Sequence, residues 1–179
     1  MITKTRTAYH ITLDDAKQHL RIDAGETFDD EQINQMIQQA VEIAENYIEK
    51  SIAVTTCIMT VYDFIGDVIR VPEGNYLSVT SVKDGDDVEY DVEQVRIYDD
   101  HFEIELDTPI NVDSLVVTFE TGYSVGSCPG PIKRAVLVKV ADLYDTERGS
   151  YTLSLQNNKT FEMILNYYKP YRFTYFRET

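Results

Sequence analysis

The chain has 179 residues, 43% hydrophobic and 26% charged, with 16 lysine plus arginine against 31 aspartate plus glutamate and a formal net charge of -15. That length buries one real core but leaves little room for two full domains, and the composition is that of a folded chain rather than a disordered one. The negative balance excludes phosphate-backbone binding as a main task, because that affinity comes from clustered lysine and arginine.

The charge is unevenly spread. Residues 84–120 hold thirteen acidic side chains and one basic one, Arg96, whereas residues 159–179 hold four basic and two acidic ones. Cys57 and Cys128 have neither CxxC nor Cys-His spacing, so they are expected to be reduced, structural thiols. The N-terminus lacks a leader-like apolar run, and no segment approaches the roughly 20 apolar residues that a membrane span needs. The expectation is a soluble protein of a reducing compartment, with no membrane partner.

Thr12 followed by Asp15 has the spacing of a capping arrangement and predicts a short helix over Leu13–Leu20. After the loop RIDAGETF, Asp29 or Asp30 caps a longer helix reaching about Lys50. Ile33, Met36, Ile37, Ala40, Ala44, Tyr47 and Ile48 lie on its apolar face, opposite Gln35, Gln38, Gln39, Glu42, Glu45 and Glu49.

From Ile52 the pattern turns to β-branched and aromatic alternation through VTTCIMTVYDF, DVIRVP, YLSVTSVK, VRIYDD, HFEIELD and SLVVTFETGY. Turns are expected at Asp84-Gly85 and Asp99-Asp100. Short strands at this spacing make a small antiparallel sheet or barrel-like module.

Gly130-Pro131 opens a third helix and Gly149 closes it. Ile132, Ala135, Val136, Leu137, Val138, Val140, Ala141, Leu143 and Tyr144 make it apolar nearly all round, so it needs cover on more than one side. Two covers are open: a neighbouring subunit, or the chain itself wrapped around a central helix. A last helix follows over about 159–168 and stops at Pro170. The terminus beyond it is crowded with aromatic residues and arginine, the composition of interface anchors, although a tail folded back on the core is the plain alternative.

Chemistry is poorly supported. His10, His19 and His101 lack metal-ligand spacing, and KDGDDVEYD lacks the alternate ligands and closing glutamate of an EF-hand loop. GYSVG has no histidine after Ser124 and no convincing strand-to-helix elbow, and neither a Walker loop nor GxGxxG is present. No catalytic residue, metal site or cofactor is expected.

Four segments in order do carry a resemblance. ITLDDAKQHLRID, then DDEQI with a helix ending AENYI, then GY with PGPIKRAVL and LYDTER (Gly122, Tyr123, residues 131–137, Leu143, Tyr144, Arg148), and finally KPYR at 169–172, are together similar to the head-tail connector proteins of tailed phages. These are head-completion adaptors, also described as DNA-packaging proteins. The resemblance covers roughly the first 50 and last 60 residues; the middle matches in length and strand character. The strong acidity of the middle and the aromatic tail beyond Arg172 depart from the pattern.

The resemblance implies a non-enzymatic virion protein of the neck, made in the host bacterial cytoplasm. It forms a ring, commonly dodecameric, that docks beneath the portal and extends the DNA channel. Implied partners are other copies of the chain, the portal, and a stopper or tail-completion protein, with DNA passing unbound. The alternatives are a stopper and, more remotely, a small acidic hydrolase or metal-dependent enzyme.

On this reading the fold class is α+β, a helical framework of about four helices (1–51 and 127–179) around a β-rich insertion (52–126). Ile132, Val136, Leu137, Val140 and Tyr144 are expected at a subunit interface. Tyr167, Tyr168, Tyr171, Arg172, Phe173, Tyr175, Phe176 and Arg177 are expected to grip the portal. Asp84, Asp86, Asp87, Glu89, Asp91, Glu103 and Glu105 are expected on an acidic face beside the channel, where like charge repels phosphate at close range.

Overall fold

A capping box starts the first helix, α1 (Leu13–Leu20). Thr12 is extended, its Oγ1 accepts from the Asp15 N–H at 3.1 Å, and Asp15 Oδ2 accepts from the Thr12 N–H at 3.0 Å. Arg21 ends it in the left-handed conformation (φ 60), with Ile22 N–H returning to the Lys17 carbonyl at 2.9 Å. The computed structural model describes residues 1–148 and 159–170, and the statements below concern those residues.

The loop after α1 closes over a buried ammonium. Lys17 is 3% exposed, its Nζ lies 2.6 Å from Asp30 Oδ1, and it donates to the carbonyls of Ala24 and Glu26. Helix α2 (Asp30–Ile48) buries Ile33, Met36, Ile37, Ala40, Val41, Ala44 and Ile48. Asp29 is its N-cap residue without a side-chain cap bond; its Oδ2 instead accepts the Tyr144 hydroxyl at 2.9 Å. Helix α3 (Gly130–Arg148) packs on α2, and α4 (Lys159–Leu165) packs on α3 through buried Phe161 and Leu165. A 3-10 turn, Asn166–Tyr168, follows α4, and Lys169 is extended ahead of Pro170. These helices share one apolar core, with Ile52, Ala53 and Cys128 included.

The strands form one antiparallel sheet with its own core: β1 (Ile2–Ala8), β2 (Val54–Val71), β3 (Tyr76–Asp84), β4 (Val92–Ile97) and β5 (Phe102–Thr121). The order is β1-β2-β5-β3, with β4 also on β5. The fold is therefore α+β, as the sequence pattern implies, but two expectations need correction. β1 was not anticipated, because ITKTRTA is an edge strand with little apolar alternation. The four short segments on either side of Ile65-Gly66 and of residues 108–113 fuse into two long strands, β2 and β5, paired along their lengths. Gly66 and Pro109 read locally as breaks, and cross-strand pairing overrides them.

β5 is bent back on itself. An extended strand would set Phe102 and Phe119 roughly 55 Å apart, yet their rings meet edge to face with centroids 5.3 Å apart. The bend lies where register shifts: Gly66 pairs with Ile110 but Val68 pairs with Glu105, so residues 106–109 stand opposite Asp67. Gly66 (φ 135) and Asp63 (φ 51) take up the distortion on β2. The rolled ribbon encloses Cys57, Met59, Ile69, Val82, Ile104, Leu115 and Val117.

Candidate functional site

The two cores meet at a junction organised by Glu45. This side chain is on α2 yet only 8% exposed, contrary to its expected place on the polar face. Its Oε1 accepts the N–H groups of Ile52 and Ala53 at 2.8 and 2.9 Å, and its Oε2 accepts from Arg6 Nε of β1 at 2.8 Å. The carboxylate thus ties helix, connecting backbone and edge strand together, which satisfies a buried charge that would otherwise be costly.

The returning chain is held beside it. The Tyr123 N–H donates to the Ile52 carbonyl at 3.1 Å, the Gly122 N–H to the Asn75 carbonyl at 2.8 Å, and Asn75 Nδ2 to the Ser51 carbonyl at 2.8 Å. His10 Nε2 lies 3.1 Å from the Ile52 carbonyl. Gly122 has φ 112, and a Cβ there would lie 2.1 Å from the Ala53 carbonyl oxygen, so only glycine fits. Ion pairs Lys4–Glu73 and Lys50–Asp99 brace the margins.

The residues expected at a subunit interface are mostly internal. Ile132, Val136 and Val140 are fully buried and Tyr144 nearly so, all within the chain's own helical core. The near-continuous apolar character of α3 is covered by α1, α2 and α4, so the chain itself supplies cover for these four residues. Leu137 is partly exposed and packs against the same core.

In the acidic set, Asp84 closes a turn. Its Oδ1 accepts the N–H groups of Asp86 and Val88, and its Oδ2 accepts the Tyr90 hydroxyl at 2.7 Å. The hydroxyl bond lowers the Asp84 pKa and raises that of Tyr90. Glu105 pairs with Arg96, Glu89 lies 4.0 Å from Lys83, and Glu103 lies 4.0 Å from His101. Asp86, Asp87 and Asp91 are exposed. The expected Asp99-Asp100 turn forms, with the Tyr98 N–H donating to the His101 carbonyl at 2.9 Å.

Of the expected portal-gripping residues, Tyr167 is 85% exposed and Tyr168 is half-buried beside it, their rings edge to face. Tyr171, Arg172, Phe173, Tyr175, Phe176 and Arg177 lie outside the described residues, as does Gly149. Ser124 Oγ bonds to Ser127 Oγ at 2.9 Å in the turn leading to α3. Cys57 and Cys128 are free and buried; burial raises both thiol pKa values, that of Cys128 to about 11. Among the described residues no three histidine, cysteine or carboxylate side chains are grouped to hold a metal, and no helix is long and apolar enough to cross a membrane.

Sequence reading missed two features. One is the Glu45 junction; the other is an exposed apolar stripe along the outer face of β2, Ile58, Tyr62, Ile65 and Val68, at 45%, 70%, 75% and 39% exposure. Ile58, Tyr62 and Val68 were legible as apolar residues out of phase with Cys57 and Met59, whereas Ile65 is in phase with them and is exposed beyond the left-handed Asp63.

A helical unit and a rolled sheet, each with its own core and joined at the Glu45 junction, define a protein of the α+β class. The same fold occurs in a chain from the neck of an empty GTA particle computed with C6 symmetry (TM-score 0.77, 14% identity) and in one from the virion of the native gene transfer agent (GTA) particle (TM-score 0.77, 14% identity). It also occurs in a chain from the neck of the native GTA particle computed with C12 symmetry (TM-score 0.73, 13% identity), and each match covers 97% of both chains. No curated protein sequence matches this chain. The model of the phage gp6-like head-tail connector proteins matches residues 10–118, and the chain belongs to that family. It is a structural head-tail connector.

Proposed function

We propose that the chain is the adaptor of a phage or phage-like particle, a subunit that assembles with copies of itself into a ring beneath the portal. The ring extends the DNA channel and offers a docking surface to the next neck or tail component, and its place is the virion neck. The observation that carries this reading is the family match, which spans α1, α2 and most of the sheet. The C6 and C12 symmetries of the similar neck structures support a ring.

In this reading the helices form the framework and the sheet is an insertion, held to it by the Glu45 junction. The exposed carboxylates of Asp86, Asp87 and Asp91 give the sheet a negative field that keeps passing DNA from adhering. The tail beyond Pro170 engages the portal, with Tyr167 at its base. The role is mechanical rather than catalytic.

Negative-stain imaging of the purified chain, alone and mixed with its portal, tests the assignment, with mass from light scattering. Rings with an open centre, or a new layer beneath the portal, are expected. A chain that stays monomeric and ignores the portal would remove the adaptor reading.

A further inference from the structure

Among the described residues two exposed faces have no partner, and each has the anatomy of half an interface. The first is the outer face of β2. Cys57, Met59, Ile69 and Val71 are buried in the roll while Ile58, Tyr62, Ile65 and Val68 are exposed, the left-handed Asp63 breaking the alternation between Tyr62 and Ile65. Exposed Asp63 and Asp67 flank the stripe, and Arg70 is the one basic residue of the strand. The second is the outer face of α4. Phe161 and Leu165 are buried against the helical core, which leaves Met163 of α4, 72% exposed, and Tyr167 of the 3-10 turn that follows it, 85% exposed, open to solvent. Exposed Lys159 and Lys169 bracket them, the latter with its Nζ 3.7 Å from the Tyr47 ring centroid.

We propose that the face formed by α4 and the turn after it, Met163 and Tyr167 of one copy, docks on the outer β2 stripe of a second copy, with Lys159 and Lys169 set against Asp63 and Asp67. Each face has an apolar centre and a charged rim, the arrangement of specific interfaces, and the rims are of opposite sign. The same complementarity selects another copy of this chain as occupant: like faces brought together would oppose like charges. The contact joins two different patches, so it is heterologous, and such contacts close into rings when the rotation permits. The inference rests on the ring reading above and names the faces that meet.

Site-directed cross-linking tests it in the full chain. One batch carries Ile65→Cys and another Met163→Cys; they are mixed, assembled alone or on the portal, and treated with a short bismaleimide. A covalent dimer holding one of each is expected in the mixture and in neither batch alone, with the wild type as control because Cys57 and Cys128 are buried. Assembled rings without that product would overturn the pairing and leave the ring reading intact. A product within either single batch would show like faces meeting and would also overturn it. A wild-type chain that never assembles would remove the ring reading and this inference with it. As a second readout, Asp63→Lys with Asp67→Lys should weaken assembly by about tenfold, and Lys159→Glu on the second face should restore part of the loss.

Discussion

Glu45 shows how much one side chain can hold together. Its carboxylate serves two backbone N–H groups and one guanidinium, so Glu45→Gln leaves a donor facing Arg6 and should cost roughly 3 kcal/mol in chemical denaturation. Combined with Arg6→Met, the loss should fall short of the sum of the two single variants, because they share one interaction. Gly122 is equally demanding. Gly122→Ala should prevent normal folding, since its Cβ would enter the Ala53 carbonyl, whereas Gly126→Ala, with φ 86 but nothing within 4 Å, should cost only about 1 kcal/mol of backbone strain. The thiols make a third case. With Cys128 at about 11 and both cysteines buried, neither should react with a thiol reagent at pH 8 until the chain unfolds, and labelling rates followed by mass spectrometry check this.

Among elements, α1 and α3 yield contrasting tests. The capping bonds from the Thr12 backbone and side chain lower the Asp15 pKa below its ordinary value near 3.8. A depressed carboxylate contributes stability that is present above that value and is lost as pH falls through the lower folded one. Thr12→Ala should therefore cost about 1 kcal/mol near neutrality and progressively less towards pH 2. Ile132→Ala in α3 should destabilise the isolated chain by about 2–5 kcal/mol, as expected of a core residue; an effect on assembly alone would return α3 to the surface.

What was legible in the sequence follows the range of the forces involved. The capping box, the apolar face of α2, Pro131 at the start of α3 and the Asp99-Asp100 turn are settled within a few residues, and each could be read. β1 could not, because Lys4 and Arg6 mask an edge strand whose identity depends on pairing with β2. Glu45 was misread because a glutamate beside an apolar stripe reads as polar surface unless its distant partners are known. The cover of α3 was open for a similar reason: sequence shows that a helix needs cover, but not what supplies it, and in the structure α1, α2 and α4 lie against it.

For the molecule as a whole, the rolled sheet decides when the helices can pack. α1 and α2 precede it and α3 and α4 follow it, so the helical core is discontinuous in sequence. Closing the long connection between α2 and α3 would by itself carry an entropic cost. Pairing of β2 with β5 brings Ile52 and Tyr123 side by side, hydrogen-bonded, at the foot of both helices. The sheet thus acts on the helices as a cross-link would, in a chain whose two cysteines are free. Thermal unfolding followed by far-ultraviolet and aromatic signals should accordingly give coincident transitions. Weakening the sheet by Phe119→Ala should lower the helical transition with it, although that ring lies in the sheet's own core, so the stability of the helical core depends on closure of the roll.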